Sequence, residues 1–402
     1  MNIAIVTSGI LPVPAVQGGA VENLIDFYLD YNHRHRLHQI TVYSVADENA
    51  MRHEACTSDV NHYHFIPVKS LGARIRKCFF RYVHRHLHYH YTIEFYFHCA
   101  LKHIRRQHYD LIIIENRPAY AIALRRVTTA RLLCHLHNDK LNSSTRLGAD
   151  IIGALDAVVT VSHYIEQRVN TIPQAATKTI TVNNGIALDA FAPTAPSAIN
   201  RAQLGLDADN VVMVFSGRVT REKGIMELIQ AMQQLDDCPT LRLLVIGSSF
   251  YGNADNRNPF AEKLKAEADT LKGRIIFTGF VPYSSMPDYL HIADIAVVPS
   301  VWDDPFPTTV LEAQAAALPV ITTRRGGIPE EVTTGSAVII DTDQHFISSL
   351  ANAIRALYLH PEQRQRMATA ALQQAARFDR ESYAQQFIKA CEGLVSTSCY
   401  SA

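Results

Sequence analysis

Short runs of β-branched and aliphatic residues alternate with helical patterns along nearly the whole of this 402-residue chain, and they do so in two series. The first series predicts strands over 3–7, 40–43, 111–115, 132–135, 157–161 and 179–182. The second predicts them over 211–215, 242–246, 274–278, 295–299, 320–323 and 337–340. Apolar strands separated by helices have no polar face to offer water, so they belong in parallel sheets covered on both sides. Two series predict an α/β chain of two doubly wound, Rossmann-like domains, since this length exceeds one ordinary core. Asn183-Asn184-Gly185 closes the first series, and the Pro- and Ala-rich stretch 192–197 reads as a linker. The domains are expected at 1–190 plus 379–402 and at 191–378. In the last piece Tyr383, Phe387, Ile388 and Cys391 recur at helical spacing. Open parallel sheets bind ligands beyond the carboxyl ends of their strands, so two such sheets are expected to face each other across a cleft.

Composition excludes several classes. Lys plus Arg equals Asp plus Glu at 38 each, so no global field draws the chain to nucleic acid. The seven cysteines (56, 78, 99, 134, 238, 391 and 399) are scattered and lack C-x-x-C spacing. That fits reduced thiols in a cytoplasmic protein rather than a disulfide framework or a zinc site. Met1-Asn2-Ile3-Ala4-Ile5-Val6 reads as a first strand rather than a secretion leader, and no apolar run approaches the roughly 20 residues of a membrane span.

Four motifs fall where chemistry is expected. Gly18-Gly19 lies between the first strand and a helical pattern; glycines let backbone approach a phosphate, though a plain turn has the same signature. It is not a G-x-G-x-x-G fingerprint, which disfavours nicotinamide chemistry. Gly217-Arg218-Val219-Thr220-Arg221-Glu222-Lys223-Gly224 follows a strand, and an Arg and a Lys there can neutralise a leaving diphosphate without a metal. Pro299-Ser300-Val301-Trp302-Asp303-Asp304-Pro305-Phe306-Pro307 runs into a helical pattern. It sets carboxylates Asp304 and Glu312 eight residues apart, both able to accept hydrogen bonds from sugar hydroxyls. His135 and His137, in Cys134-His135-Leu136-His137-Asn138-Asp139, share one side if their strand continues. Two His at this spacing could suggest a metal, but the sequence offers no third ligand, so none is expected.

Residues 69–106 are rich in Lys and Arg, with Glu94 the one acid. Within 74–91, Ile75, Phe79, Val83 and Leu87 recur every four residues among Arg76, Lys77, Arg81 and Arg85. Such a basic amphipathic helix suits an anionic membrane surface; a core-packing helix with a solvated outer face would show the same pattern.

Taken together, the Gly-Gly loop, the G-R-x-x-x-x-K-G segment, Phe277-Thr278-Gly279-Phe280-Val281 and the paired acids resemble the retaining glycosyltransferases of family 4, which have the GT-B fold. The order of these motifs along the chain also agrees. His135-Leu136-His137-Asn138-Asp139 and Leu11-Pro12-Val13-Pro14 with Gly18-Gly19-Ala20 look like members that build bacterial lipopolysaccharide, capsule and other surface glycans. The resemblance implies transfer with retention from an NDP-sugar, a UDP-sugar above all, to a glycan or lipid-linked acceptor, with neither cofactor nor metal. A leaving phosphate oxygen would serve as base, and the work would be done in the cytoplasm, on the inner face of the plasma membrane.

Roles follow by resemblance. Arg218 and Lys223, with Gly217 between strand and cations, would hold the diphosphate. Asp304 would bind the transferred sugar, Glu312 the ribose, and His137 would stand by the reacting centre. Backbone N–H groups of Phe306, Thr308, Thr309 and Val310 would serve sugar and phosphates. Val281 would flank the base, Gly18 would approach the donor, and Gly19 the donor's phosphate or the acceptor. His135, Asn138 and Asp139 fall on the acceptor side. Two residues depart from the family pattern: Asp304 stands where Glu is usual, and Pro307, without an N–H, where Gly is common. A nucleotide-sugar epimerase on the same fold, or a non-catalytic sugar-binding protein, are the rival readings.

Overall fold

The computed structural model describes residues 1–83, 91–194, 197–247 and 259–396. Residues 84–90 of the expected basic helix, two residues of the expected linker and the last six of the chain lie outside these. The chain divides into two compact units, Met1–Gly185 with Arg380–Ala402, and Ile186–Asp379. The division falls at 185/186, because Ile186 already belongs with the second unit: it bridges to Asp379, and its N–H donates to the Phe378 carbonyl at 2.8 Å.

The first unit is a seven-stranded, all-parallel sheet. Its strands are β1 (Asn2–Val6), β2 (Gln39–Val45), β3 (Asn61–Ile66), β4 (Leu111–Glu115), β5 (Arg131–Leu136), β6 (Ala157–Thr160) and β7 (Thr179–Thr181). They lie in the order β3-β2-β1-β4-β5-β6-β7. Strand β3 is absent from the sequence expectation: Asn61-His62-Tyr63-His64-Phe65-Ile66 has one β-branched residue, and this edge strand is only partly covered. Leu24, Ile25 and Tyr28 of the helix Ala20–His35 join Ile3, Ile5 and Leu133 of the sheet in one core. Phe387 and Cys391 of the closing helix Arg380–Ser396 complete it. The rings of Tyr28 and Phe387 stack at 4.5 Å.

The second unit holds β8 (Val211–Ser216), β9 (Leu241–Ile246), β10 (Ile275–Gly279), β11 (Ile295–Val298), β12 (Val320–Thr323) and β13 (Ala337–Ile340). Their order, β10-β9-β8-β11-β12-β13, is the doubly wound order 3-2-1-4-5-6. In such sheets the strand order reverses at one place, and ligands collect outside it. Those places are β1/β4 in the first unit and β8/β11 in the second. Gly18 and Gly19 follow β1, Glu115 ends β4, Gly217 follows β8, and Asp304 follows β11.

Candidate functional site

In the second unit two loops are drawn together. Gly224 takes a left-handed φ of 71°, and a Cβ built on it would lie 1.8 Å from the Pro299 carbonyl oxygen, so only glycine fits. The Glu222 carbonyl accepts from the Val301 N–H at 3.0 Å and the Ser300 hydroxyl at 3.2 Å. Gly326 (φ 56°) is pressed the same way against the Asp304 carbonyl, 2.1 Å from a would-be Cβ, and the Gly327 N–H donates to that carbonyl at 2.8 Å. These contacts bring Lys223 to Asp304, and the two form an ion pair with both side chains mostly buried. The cation assigned to the diphosphate and the carboxylate assigned to the sugar are therefore partners, and an arriving phosphate would compete with Asp304 for Lys223. Arg218 is exposed at the end of β8, near enough to the Glu222 carboxyl for their charges to interact.

The helix Thr308–Ala315 begins directly after Pro307. Glu312 lies one turn in, buried, and its pKa is pushed up to about 7 by burial, with a hydrogen bond from Thr308 opposing the rise. The first N–H groups of any helix lack intrahelical partners, which leaves those of Thr308 and Thr309 suited to an anion. The Val310 N–H does not serve this role, because it donates to the Pro307 carbonyl at 3.0 Å. The Phe306 side chain is core, packed edge-on against Phe378. Val281 is half-buried just beyond β10. Glu331, unremarked in the sequence, is fully buried, and neither carboxyl oxygen has a hydrogen-bond partner. Burial first, then the charges of Asp304 and Glu330, hold it well above the usual carboxylate range. Only space reveals it, since Glu330-Glu331 reads as an ordinary acidic turn.

In the first unit Gly18 (φ 74°) and Gly19 (φ 108°) lead into the helix Ala20–His35. Glu22, in its first turn, is buried; its pKa is pushed up to about 7 by burial and, in smaller part, by the charge of Glu115. Strand β5 stops at Leu136, yet His135 and His137 still converge, ring centroids 4.0 Å apart, on one carboxylate. That carboxylate is Glu115, paired with His135 in the register of β4 and β5. It is a third side chain of metal-binding type that the sequence does not reveal, because parallel neighbours lie far apart along the chain. Glu115, His135 and His137 present ligand atoms all within 4.8 Å of one another. His135 is fully buried beside Phe387, so it cannot face an acceptor; alternation along β5 turns it inward. Asn138 is half-buried and bonded to Asn116, and Asp139 is half-buried in the same loop.

A cation and carboxylates gather at the switch point of the second sheet, where doubly wound folds hold their ligands. Residues 197–374 match the model of the family "Glycosyl transferases group 1". Spore coat protein SA of Bacillus subtilis is 27% identical over 91% of this chain and 92% of its own length. The lipopolysaccharide 1,2-N-acetylglucosaminetransferase of Salmonella typhimurium is 28% identical over 58% and 59%. HepE of Anabaena, solved in complex with UDP-glucose, shares the fold at a TM-score of 0.74, covering 98% of this chain and 100% of that one at 22% identity. The fold is the GT-B fold of such enzymes, and the second unit carries the group 1 glycosyltransferase sequence.

Proposed function

We propose that the protein moves a sugar, with retention, from an NDP-sugar (a UDP-sugar above all) to a glycan or lipid-linked acceptor in the synthesis of a bacterial surface polysaccharide. The observation that carries this is the Lys223–Asp304 ion pair at the β8/β11 switch point, with Glu331 close enough to feel the charges of Asp304, Lys223 and Glu312, and Glu222 those of Arg218 and Lys223. The bond from the sugar C1 to the diphosphate oxygen breaks, and one from an acceptor oxygen to C1 forms on the same face. The acceptor proton passes to the leaving phosphate. Negative charge grows on the diphosphate as it leaves, and Arg218 and Lys223 would neutralise it without a metal. Asp304, released by phosphate from Lys223, would accept hydroxyls of the transferred sugar, and Glu312 those of the ribose. That HepE was solved with UDP-glucose on this fold supports the choice of donor.

We also propose that the helix Leu71–Val83 rests on an anionic membrane surface at the cytoplasmic face. Leu71, Ile75, Phe79, Tyr82 and Val83 are all more than half exposed. At 100° per residue they fill an arc of about 120°. The exposed Arg74 and Arg76 flank that arc, while Phe80 turns inward against Phe95. The apolar stripe therefore faces outward, which disfavours the core-packing alternative. Among the described residues no helix is long and apolar enough to cross a membrane.

A thermal-shift screen against nucleotides and NDP-sugars tests the donor. A ligand at 100 times its Kd adds about 2.7 kcal/mol, which a melting curve resolves. At least one NDP and its sugar conjugate should shift the wild type, with the shift largely lost in Lys223→Ala measured against its own unliganded melt. No shift with any of them would refute the donor class.

A further inference from the structure

Glu115 has no part in the chemistry described so far. Glu115 is fully buried at the end of β4 and receives three donors. Tyr28 Oη donates to Oε1 at 2.9 Å, His135 Nδ1 lies 3.2 Å from Oε2, and His137 Nε2 lies 3.2 Å from the same oxygen. Burial alone would raise the carboxyl's pKa, but the two imidazoles and their hydrogen bonds more than reverse this and hold it down to about 2. Burial, then His135, lowers the pKa of His137 to about 4. At working pH the carboxylate is ionised and the His137 ring neutral. A neutral imidazole carries one N–H, and an ionised carboxylate can only accept. The proton of His137 is therefore on Nε2, and Nδ1 keeps a bare lone pair. The backbone is fixed as well: the His137 N–H donates to Asn116 Oδ1 at 3.2 Å, and the Asn116 N–H donates to the His135 carbonyl at 2.8 Å.

We propose that Glu115 is a positioning residue: it holds the N–H edge of His137 so that Nδ1 is presented as a hydrogen-bond acceptor for a hydroxyl of the bound sugar. This rests on the glycosyltransferase reading, which puts His137 by the reacting centre. A metal would use the same three side chains, and 3.2 Å is close to the ligand–ligand edge of a tetrahedral site with bonds of about 2.1 Å. The surroundings of His135 decide against it. Its Nε2 is buried with no partner. A ligating histidine ordinarily donates its second N–H to a neighbour. Ligation through Nδ1 would leave a buried donor unsatisfied, whereas the hydrogen-bonded arrangement leaves only an unfilled acceptor.

The experiment joins histidine-¹⁵N NMR of the full chain to a double-mutant cycle. In the wild type, long-range correlations should show His137 protonated at Nε2 and bare at Nδ1. Glu115→Gln can offer an amide N–H to Nε2 and should shift His137 toward the opposite tautomer. Its kcat should fall on the order of 10- to 100-fold, with the donor KM changed about twofold or less. Adding Glu115→Gln to His137→Ala should cost little more than His137→Ala alone. Nδ1 protonated in the wild type, full additivity in the cycle, or one equivalent of zinc lost on Glu115→Gln would overturn the proposal. The wild-type spectrum decides it even if Glu115→Gln misfolds. It also needs no turnover, so an inactive wild type would count against the proposed function alone.

Discussion

Glu312 is an acid at odds with its surroundings. Its pKa in the fold is about 7, against about 4.5 for the free side chain, because burial penalises the charge. The sign follows from linkage. A folded pKa above the unfolded one means the stability of the neutral carboxyl is fully present below pH 4.5 and lost as pH rises through 7. Glu312→Gln cannot ionise, so its melting temperature should exceed that of the wild type above pH 7, by the equivalent of on the order of 3 kcal/mol. The gain should shrink toward nothing near pH 4.5. Melting curves at pH 5 and 8 check this, and a difference that does not change with pH would refute it. The same burial suits the proposed role: on binding, ribose hydroxyls would replace missing water as donors to the carboxylate. At this scale Arg218, Lys223, Asp304 and Glu312 stand out as candidates in sequence because each belongs to a local motif, and the structure adds that Lys223 and Asp304 pair. Glu115 and Glu331 were not, because their meaning lies in neighbours from other strands and helices. The outward-facing role expected of His135 failed for a related reason, since strand alternation states a side but not what covers it.

Among the elements, the helix Leu71–Val83 is the most unusual, since it spends its apolar stripe on solvent. Burying an Ile and a Phe side chain in lipid is worth about 1.5–3 kcal/mol each. Ile75→Asp with Phe79→Asp should therefore weaken sedimentation with phosphatidylglycerol vesicles at least about tenfold. Release of NDP with a soluble acceptor should stay near wild type. Wild-type binding should also weaken with added salt, as charge attraction is screened. A wild type that ignores these vesicles, or a double variant that binds as well, would remove the membrane from the account. Periodicity predicted this helix but could not say which way its stripe faced; exposure of Ile75 and Phe79, with Phe80 turned inward, answers that. The opposite case is β3, whose polar–aromatic alternation carries one β-branched residue and is confirmed as a strand by its pairing with β2.

At the scale of the whole molecule, the recurrence of apolar strands and helices already implied two doubly wound units, and the structure contains both. What repetition could not supply was the edge strand and the point of division at Gly185. The family match covers 197–374, within the second unit, where the local motifs are densest. The central claim is that Arg218 and Lys223 neutralise a diphosphate leaving an activated sugar. Its most direct measurement is NDP release by the purified protein across a panel of NDP-sugars, with acceptor extract, in the presence of EDTA. The account predicts release from at least one donor, undiminished by the chelator. It also predicts a fall of on the order of 10²-fold or more in Lys223→Ala and Arg218→Ala. Turnover near wild type in both variants, or activity abolished by the chelator and restored by a divalent metal, would contradict it.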